Sequence, residues 1–203
     1  MKRLLLEALG SFFITFTLMI TENDNPLAVG LMIVTFLYLS RGILKTQFNP
    51  AISLTFALTG HLHYAVAILH IVSQLIGSIV AGLFFGFVYS QSFSPGMMID
   101  ISLMTAIFWE AILTMIICWV SLTTAKEKDP VHSAGIIGLA YIATFSFGGL
   151  FNPSIIFGSL ASGLRAGIPT DIISSFLLVF FCAPFIGSLL AVGAHTYFHQ
   201  VRE

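Results

Sequence analysis

Two apolar stretches of this chain, 50–58 and 153–161, begin at a proline that directly follows Phe-Asn. At nine residues each, or roughly 13 Å of helix, they reach only about halfway across a hydrocarbon core. The first tetrad is Phe48-Asn49-Pro50-Ala51, and it returns 103 positions later as Phe151-Asn152-Pro153-Ser154. A Glu-Ala pair, Glu7-Ala8 and Glu110-Ala111, returns at the same displacement, so each Glu precedes its Asn by 42 residues. Coincidental tripeptides would not bring their partners along, so the chain is a duplicated unit.

The remainder of the sequence says what surrounds those stubs. Residues are 57% hydrophobic and 8% charged, with a mean hydropathy of +0.99. A soluble domain carries roughly 25% charged residues, so most of this surface cannot face water. Six longer apolar segments, 4–20, 27–44, 65–89, 101–124, 131–147 and 172–198, approach the ~20 residues that span a bilayer. The expected fold is an all-α membrane protein with six transmembrane helices, two half-spanning re-entrant helices and an inverted repeat. One channel domain is expected over 1–203, with repeats at about 1–90 and 101–203. Segment 4–20 lacks a small-residue cleavage site and reads as a span rather than a leader. Cys118 and Cys182 lie in apolar runs and read as packing residues, not a disulfide. No basic run supports a nucleic-acid partner; the partner of such a surface is membrane lipid.

Charge sets the orientation. With both termini on one side, Lys2, Arg3, Arg41, Lys45, Lys126, Lys128 and Arg202 share that side and only Arg165 lies opposite. Both termini are therefore expected in the cytoplasm. Three spans per repeat is odd, so the second half enters upside down and the two stubs approach from opposite faces.

The chemistry at their meeting follows from residue type. Pro at a first helical position loses no hydrogen bond, and the Asn before it is a favoured N-cap. Each stub then presents a positive dipole end and an Asn amide to the midplane, hostile to cations and protons. The Asn49 and Asn152 amides can donate to the oxygen of a passing neutral molecule. Irregular backbone at this depth needs partners, and Glu7 and Glu110 are the expected acceptors for loop N–H groups around 45–48 and 148–151.

These features lie among further runs: Glu7-Ala8-Leu9-Gly10-Ser11-Phe12, Gln47 through Thr55, Gln74-Leu75-Ile76-Gly77, Phe151-Asn152-Pro153-Ser154 and Pro184-Phe185-Ile186-Gly187. With them the chain resembles the aquaporin and aquaglyceroporin family, the major intrinsic proteins, over nearly its whole length. The resemblance implies a passive channel for water or small neutral solutes, with pore motifs Asn49, Pro50, Ala51 and Asn152, Pro153, Ser154. It also implies a homotetramer with one pore per subunit. An Arg usually follows the second motif; here Ile155 stands there, and Ile156 replaces the Asp of glycerol channels. Carried over, the outer filter is Val29, Gly149, Ile155 and a fifth-helix residue, Phe145 first and Ala140 second. That set is apolar. Gln47 stands where many members have His. The short connection 90–100 puts loop contacts at the mouth in doubt.

Bland readings apply elsewhere. His61 and His63 read as solvated interface residues rather than pH sensors, and their spacing is no metal site. His70 and His132 read as bordering the third and fifth spans, and His195 and His199 as interfacial. Gly60, Gly77, Gly82, Gly163 and Gly187 read as helix-crossing positions. Nothing calls for a cofactor, and no nucleophile–base pair or nucleotide fingerprint suits an enzyme. A secondary transporter with inverted repeats and a non-conducting scaffold are the alternative classes. Small size and missing targeting signals fit a bacterial inner membrane.

Overall fold

The computed structural model describes residues 1–40, 46–93, 102–164 and 170–199, which form helices and no strand. In chain order these are α1 (Lys2–Ile20), α2 (Pro26–Leu39), α3 (Pro50–Leu58), α4 (Tyr64–Tyr89), α5 (Leu103–Thr124), α6 (Pro130–Phe145), α7 (Pro153–Ser162), α8 (Thr170–Leu177) and α9 (Ala183–His199). The half-length helices α3 and α7 begin on the two prolines, as expected. Arg41, Lys45, Arg165 and Arg202, used above for orientation, lie outside the described residues.

Helix starts follow one local rule. Asn25-Pro26, Asn49-Pro50, Asp129-Pro130 and Asn152-Pro153 each place a side-chain oxygen on an early N–H and proline in the first turn. Two of these pairs open α2 and α6, a parallel between the halves that the sequence reading passed over. Among the described residues, four helices are long and apolar enough to span a bilayer alone: α1, α4, α5 and the continuous run Ile173–Phe198. By contrast α2 and α6 have 14 and 16 residues, less than the expected 27–44 and 131–147. The α6 helix stops early because Phe147 and Gly148 turn back onto Thr144 and Phe145 carbonyls, with Gly148 at φ +77°.

The last span is not uniform. Between α8 and α9 lies a π-helical turn, Leu178–Cys182, in which the Ala183 N–H bonds the Leu178 carbonyl. Pro184 follows at once and can donate no backbone hydrogen bond, so widening this turn lets the helix pass the proline.

Lipid tails do not drive apolar helices together, so packing rests on close approach. A Cβ on Gly77 would lie 2.0 Å from the Ala8 carbonyl oxygen, and one on Gly187 2.3 Å from that of Ala111. Thus α1 crosses α4, and α5 crosses α9, beside the two glutamates. Gly82 meets the Gly158 carbonyl in the same way, clamping α4 to α7. Polar pairs pin the same seams: Thr15 Oγ1 to Ser78 Oγ at 2.9 Å, and Thr55 Oγ1 to Ser188 Oγ at 2.7 Å. Leu5, Leu69, Phe87, Leu139 and Leu189 point outward, the apolar face of an integral multi-pass membrane protein.

Three expectations are corrected. Gly60 has nothing within 4 Å of its Cβ position and φ +73°, so it is a turn residue, not a crossing. Cys182 is exposed while Cys118 is buried, so only the latter packs inside. The short connection after α4 does reach the second stub: the Phe93 N–H donates to Ser162 Oγ, and Ser159 Oγ donates to the Phe93 carbonyl, both at 2.8 Å.

The α1–α4 crossing generates a test. Gly77→Val drives a side chain into backbone that cannot swing aside, which costs about 1–3 kcal/mol. Its thermal unfolding midpoint in detergent falls by at least about 2 °C, whereas Gly193→Ala, with open space at its Cβ, does not lower it.

Candidate functional site

Two phenylalanines set the site. Phe48 and Phe151, each just before an Asn-Pro, have φ of +55° and +50°, a left-handed conformation that bulky residues rarely adopt. In each case a buried carboxylate grips two successive N–H groups across that bend. The Gln47 N–H donates to Glu7 Oε1 and the Phe48 N–H to Glu7 Oε2, both at 2.8 Å. The Leu150 and Phe151 N–H groups donate to Glu110, at 3.2 and 2.5 Å to Oε1. Two charge-assisted bonds at about 1.5–3 kcal/mol each outweigh a left-handed residue at about 1–3 kcal/mol. The bend is therefore held.

The bend sends each Phe carbonyl across to the other half. Asn152 Nδ2 donates to the Phe48 carbonyl and Asn49 Nδ2 to the Phe151 carbonyl, both at 2.8 Å. The starts of α3 and α7 thus touch through a reciprocal pair of bonds. Each Asn also caps its own stub: Asn49 Oδ1 accepts from the Ala51 N–H at 2.9 Å, and Asn152 Oδ1 from the Ser154 N–H at 3.1 Å. Ser154 adds a bond that Ala51 cannot, its Oγ donating to Asn152 Oδ1 at 2.8 Å.

The amides are less free than the sequence reading expected. Asn49 gives its second proton to the Tyr141 hydroxyl at 2.7 Å, so both of its donors are occupied. Among the described residues Asn152 Nδ2 has the Phe48 carbonyl alone. Tyr141 was missed because a tyrosine on an apolar helix face reads as core.

The two carboxylates also sit differently. Glu7 additionally receives Gln74 Nε2 at 2.8 Å, and His70 Nδ1 lies 2.9 Å from Glu7 Oε1 and 2.7 Å from Gln47 Oε1. His70 is fully buried in this cluster, not at a span border. So α4 supplies an imidazole beside Gln47. Glu110 has backbone donors only, among the described residues. His61 Nδ1 pairs with Thr59 Oγ1 at 3.0 Å and His63 caps α4 through the Ala65 N–H, which makes both local structural residues.

Of the filter residues carried over, Val29, Phe145, Gly149 and Ile155 are all buried. Phe145 and Gly149 converge on Phe151: the Phe145 and Phe151 rings are 5.6 Å apart, and a Cβ on Gly149 would lie 2.4 Å from Phe151 Cζ and from Glu110 Oε2. Gly149 is thus required by the Glu110 grip, and only its backbone is available to line a lumen. Val29 and Ile155 belong to the common apolar core. Ala140, the second choice for the fifth helix, is half-buried.

A family model described as Major intrinsic protein matches residues 4–197. The chain is 30% identical to a glycerol uptake facilitator protein-like 6 of Lactiplantibacillus plantarum, over 94% of this chain and 95% of that protein. It is 28% identical to an aquaglyceroporin of Toxoplasma gondii, over 87% of this chain and 70% of the relative. Its fold is similar to that of the aquaglyceroporin of Plasmodium falciparum, with a TM-score of 0.77 over 98% of this chain and 97% of the other at 23% identity.

The unequal carboxylates predict unequal mutants. Glu7→Ala strands two backbone N–H groups plus one Gln74 amide proton, while His70 keeps Gln47 Oε1, and Glu110→Ala strands the backbone pair only. With each orphan costing about 1–3 kcal/mol, Glu7→Ala lowers stability more than Glu110→Ala, by roughly 2 kcal/mol. Thermal unfolding in detergent measures both, and equal losses would contradict the asymmetry.

Proposed function

The chain belongs to the major intrinsic protein family, and from that premise we propose that it is a passive channel for water and small neutral solutes whose pore runs past Asn49 and Asn152. The observation that carries this reading is the reciprocal pair of bonds between those amides and the Phe48 and Phe151 carbonyls. It sets the amino ends of α3 and α7 against each other, so two positive dipole ends share one point of the membrane and oppose cations and protons. Glu7 and Glu110 anchor the loops. Among the described residues these are the buried carboxylates, and both are committed to donors, which leaves no ion-coupling cluster for a transporter.

Val29, Phe145, Gly149 and Ile155 form the outer constriction in this reading. With Ile155 in the place of a cation, the ring offers no charged donor. A polar solute is desolvated there without compensation, so larger or less polar solutes gain relative to water. Glycerol-like molecules and ammonia are the favoured permeants, in keeping with the names of the two relatives above. The repeats extend over about 1–90 and 101–203. Both termini are cytoplasmic, and the protein assembles as a homotetramer in a bacterial inner membrane.

Stopped-flow light scattering of proteoliposomes tests the channel reading. Neutral solutes equilibrate faster than in protein-free vesicles while proton flux stays at background; rates at the protein-free level for every solute would refute it. Ile155→Arg restores a charged donor and shifts the water-to-glycerol permeability ratio toward water by roughly tenfold. An unchanged ratio would remove Ile155 from the filter.

A further inference from the structure

Tyr141 has no role in the reading above, yet its hydroxyl holds the second Asn49 proton. The side chain is 2% exposed and lies one helical turn from Phe145 on α6. Its ring stacks on Phe145 with centroids 5.7 Å apart at 23°, and Phe145 in turn meets Phe151. Three aromatic rings thus run together from the outer constriction to Asn49.

Away from that column, Tyr141 bounds a small cavity of about 30 Å³, enough for one small molecule. Ile33, Ile52 and Ile137 give it apolar walls, while Thr46, Gln47 and Tyr141 supply polar groups. Thr46 Oγ1 has no hydrogen-bond partner among the described residues although it is buried. The Tyr141 hydroxyl accepts from Asn49, and its own proton has no acceptor among the described residues. One wall of the chamber therefore carries an unsatisfied hydroxyl, and another ends on a phenol that occupies Asn49.

We propose that Tyr141 is the specificity-determining residue at the middle of the pore, its hydroxyl standing where a permeant oxygen or nitrogen accepts from Asn49. This rests on the channel reading and deepens it. Passage past Asn49 requires the permeant to replace the phenol, and the chamber beside Thr46 is where it waits on the α3 side. A solute with a lone pair completes the exchange, because it takes the Asn49 proton as the phenol leaves. A solute without one leaves that buried donor unpaired, and it is disfavoured. The permeants selected are small neutral hydrogen-bond acceptors, namely water, ammonia and polyols, over apolar gases.

Water and glycerol permeabilities of proteoliposomes carrying wild type, Tyr141→Phe and Tyr141→Ala test this, with folding of each verified by thermal unfolding. Tyr141→Phe keeps the ring and removes one neutral hydrogen bond, so both permeabilities rise by about fivefold. Tyr141→Ala also clears the ring and raises glycerol at least as much. Tyr197→Phe, on an exposed side chain of α9, changes nothing. If wild type conducts and neither Tyr141 variant is faster, the proposal is overturned while the channel reading stands. If wild type is silent and the variants conduct, Tyr141 is the barrier. Silence in all three overturns both.

Discussion

A buried carboxylate holding two consecutive peptide N–H groups is the interaction on which the rest of this molecule depends. Glu7 and Glu110 each do so across a left-handed phenylalanine, and the bend that results is what turns the Phe48 and Phe151 carbonyls toward the opposite half. Without the carboxylate the bend is unfavourable by about 1–3 kcal/mol, and nothing local repays it. With it, peptide groups that would otherwise stand unpaired at membrane depth are satisfied within the protein. The crossing bonds to Asn152 and Asn49 follow from that geometry, and so does the contact of the two stub ends.

The larger packing serves to keep the carboxylates where they are. Ala8 and Ala111, each next to its glutamate, supply the carbonyls that Gly77 and Gly187 approach. Close crossing of α1 with α4 and of α5 with α9 therefore fixes the height of each Glu against its loop. The halves are not copies in detail. The first carboxylate has gained Gln74 and His70 as donors, and the first Asn has gained Tyr141, whereas the second Asn has gained only Ser154. An internal two-fold of backbone thus surrounds an asymmetric set of polar contacts.

Much of this was legible in the chain. Phe-Asn-Pro twice at one displacement located α3 and α7 to within a residue, and the paired Glu-Ala located the carboxylates, because duplicated features leave a long-range signal that needs no partner to interpret. What escaped were contacts with no local signature. Asn49 meets Phe151 and Asn152 meets Phe48 across 102 and 104 residues, and only the folded bend aims those carbonyls. Tyr141 has the spacing of a core residue. Phe93 reaches Ser159 and Ser162 through backbone and hydroxyl groups, which carry no distinctive sequence signal. Gly60 looked like a crossing glycine because composition cannot separate a turn from a crossing. Cys182 faces outward because it falls between the buried positions Phe180 and Ala183 on the opposite side of the helix, which hydropathy alone does not reveal.

The central claim is that the grip of Glu7 on Phe48 and the bond from Asn152 to the Phe48 carbonyl are one mechanical unit. A double-mutant cycle of Glu7→Gln and Asn152→Ala, read by equilibrium unfolding in lipid–detergent micelles, measures that link directly. The two substitutions are predicted to couple by about 1 kcal/mol or more, since either one releases the carbonyl on which the other acts. Free energies that add to within about 0.3 kcal/mol would contradict the account.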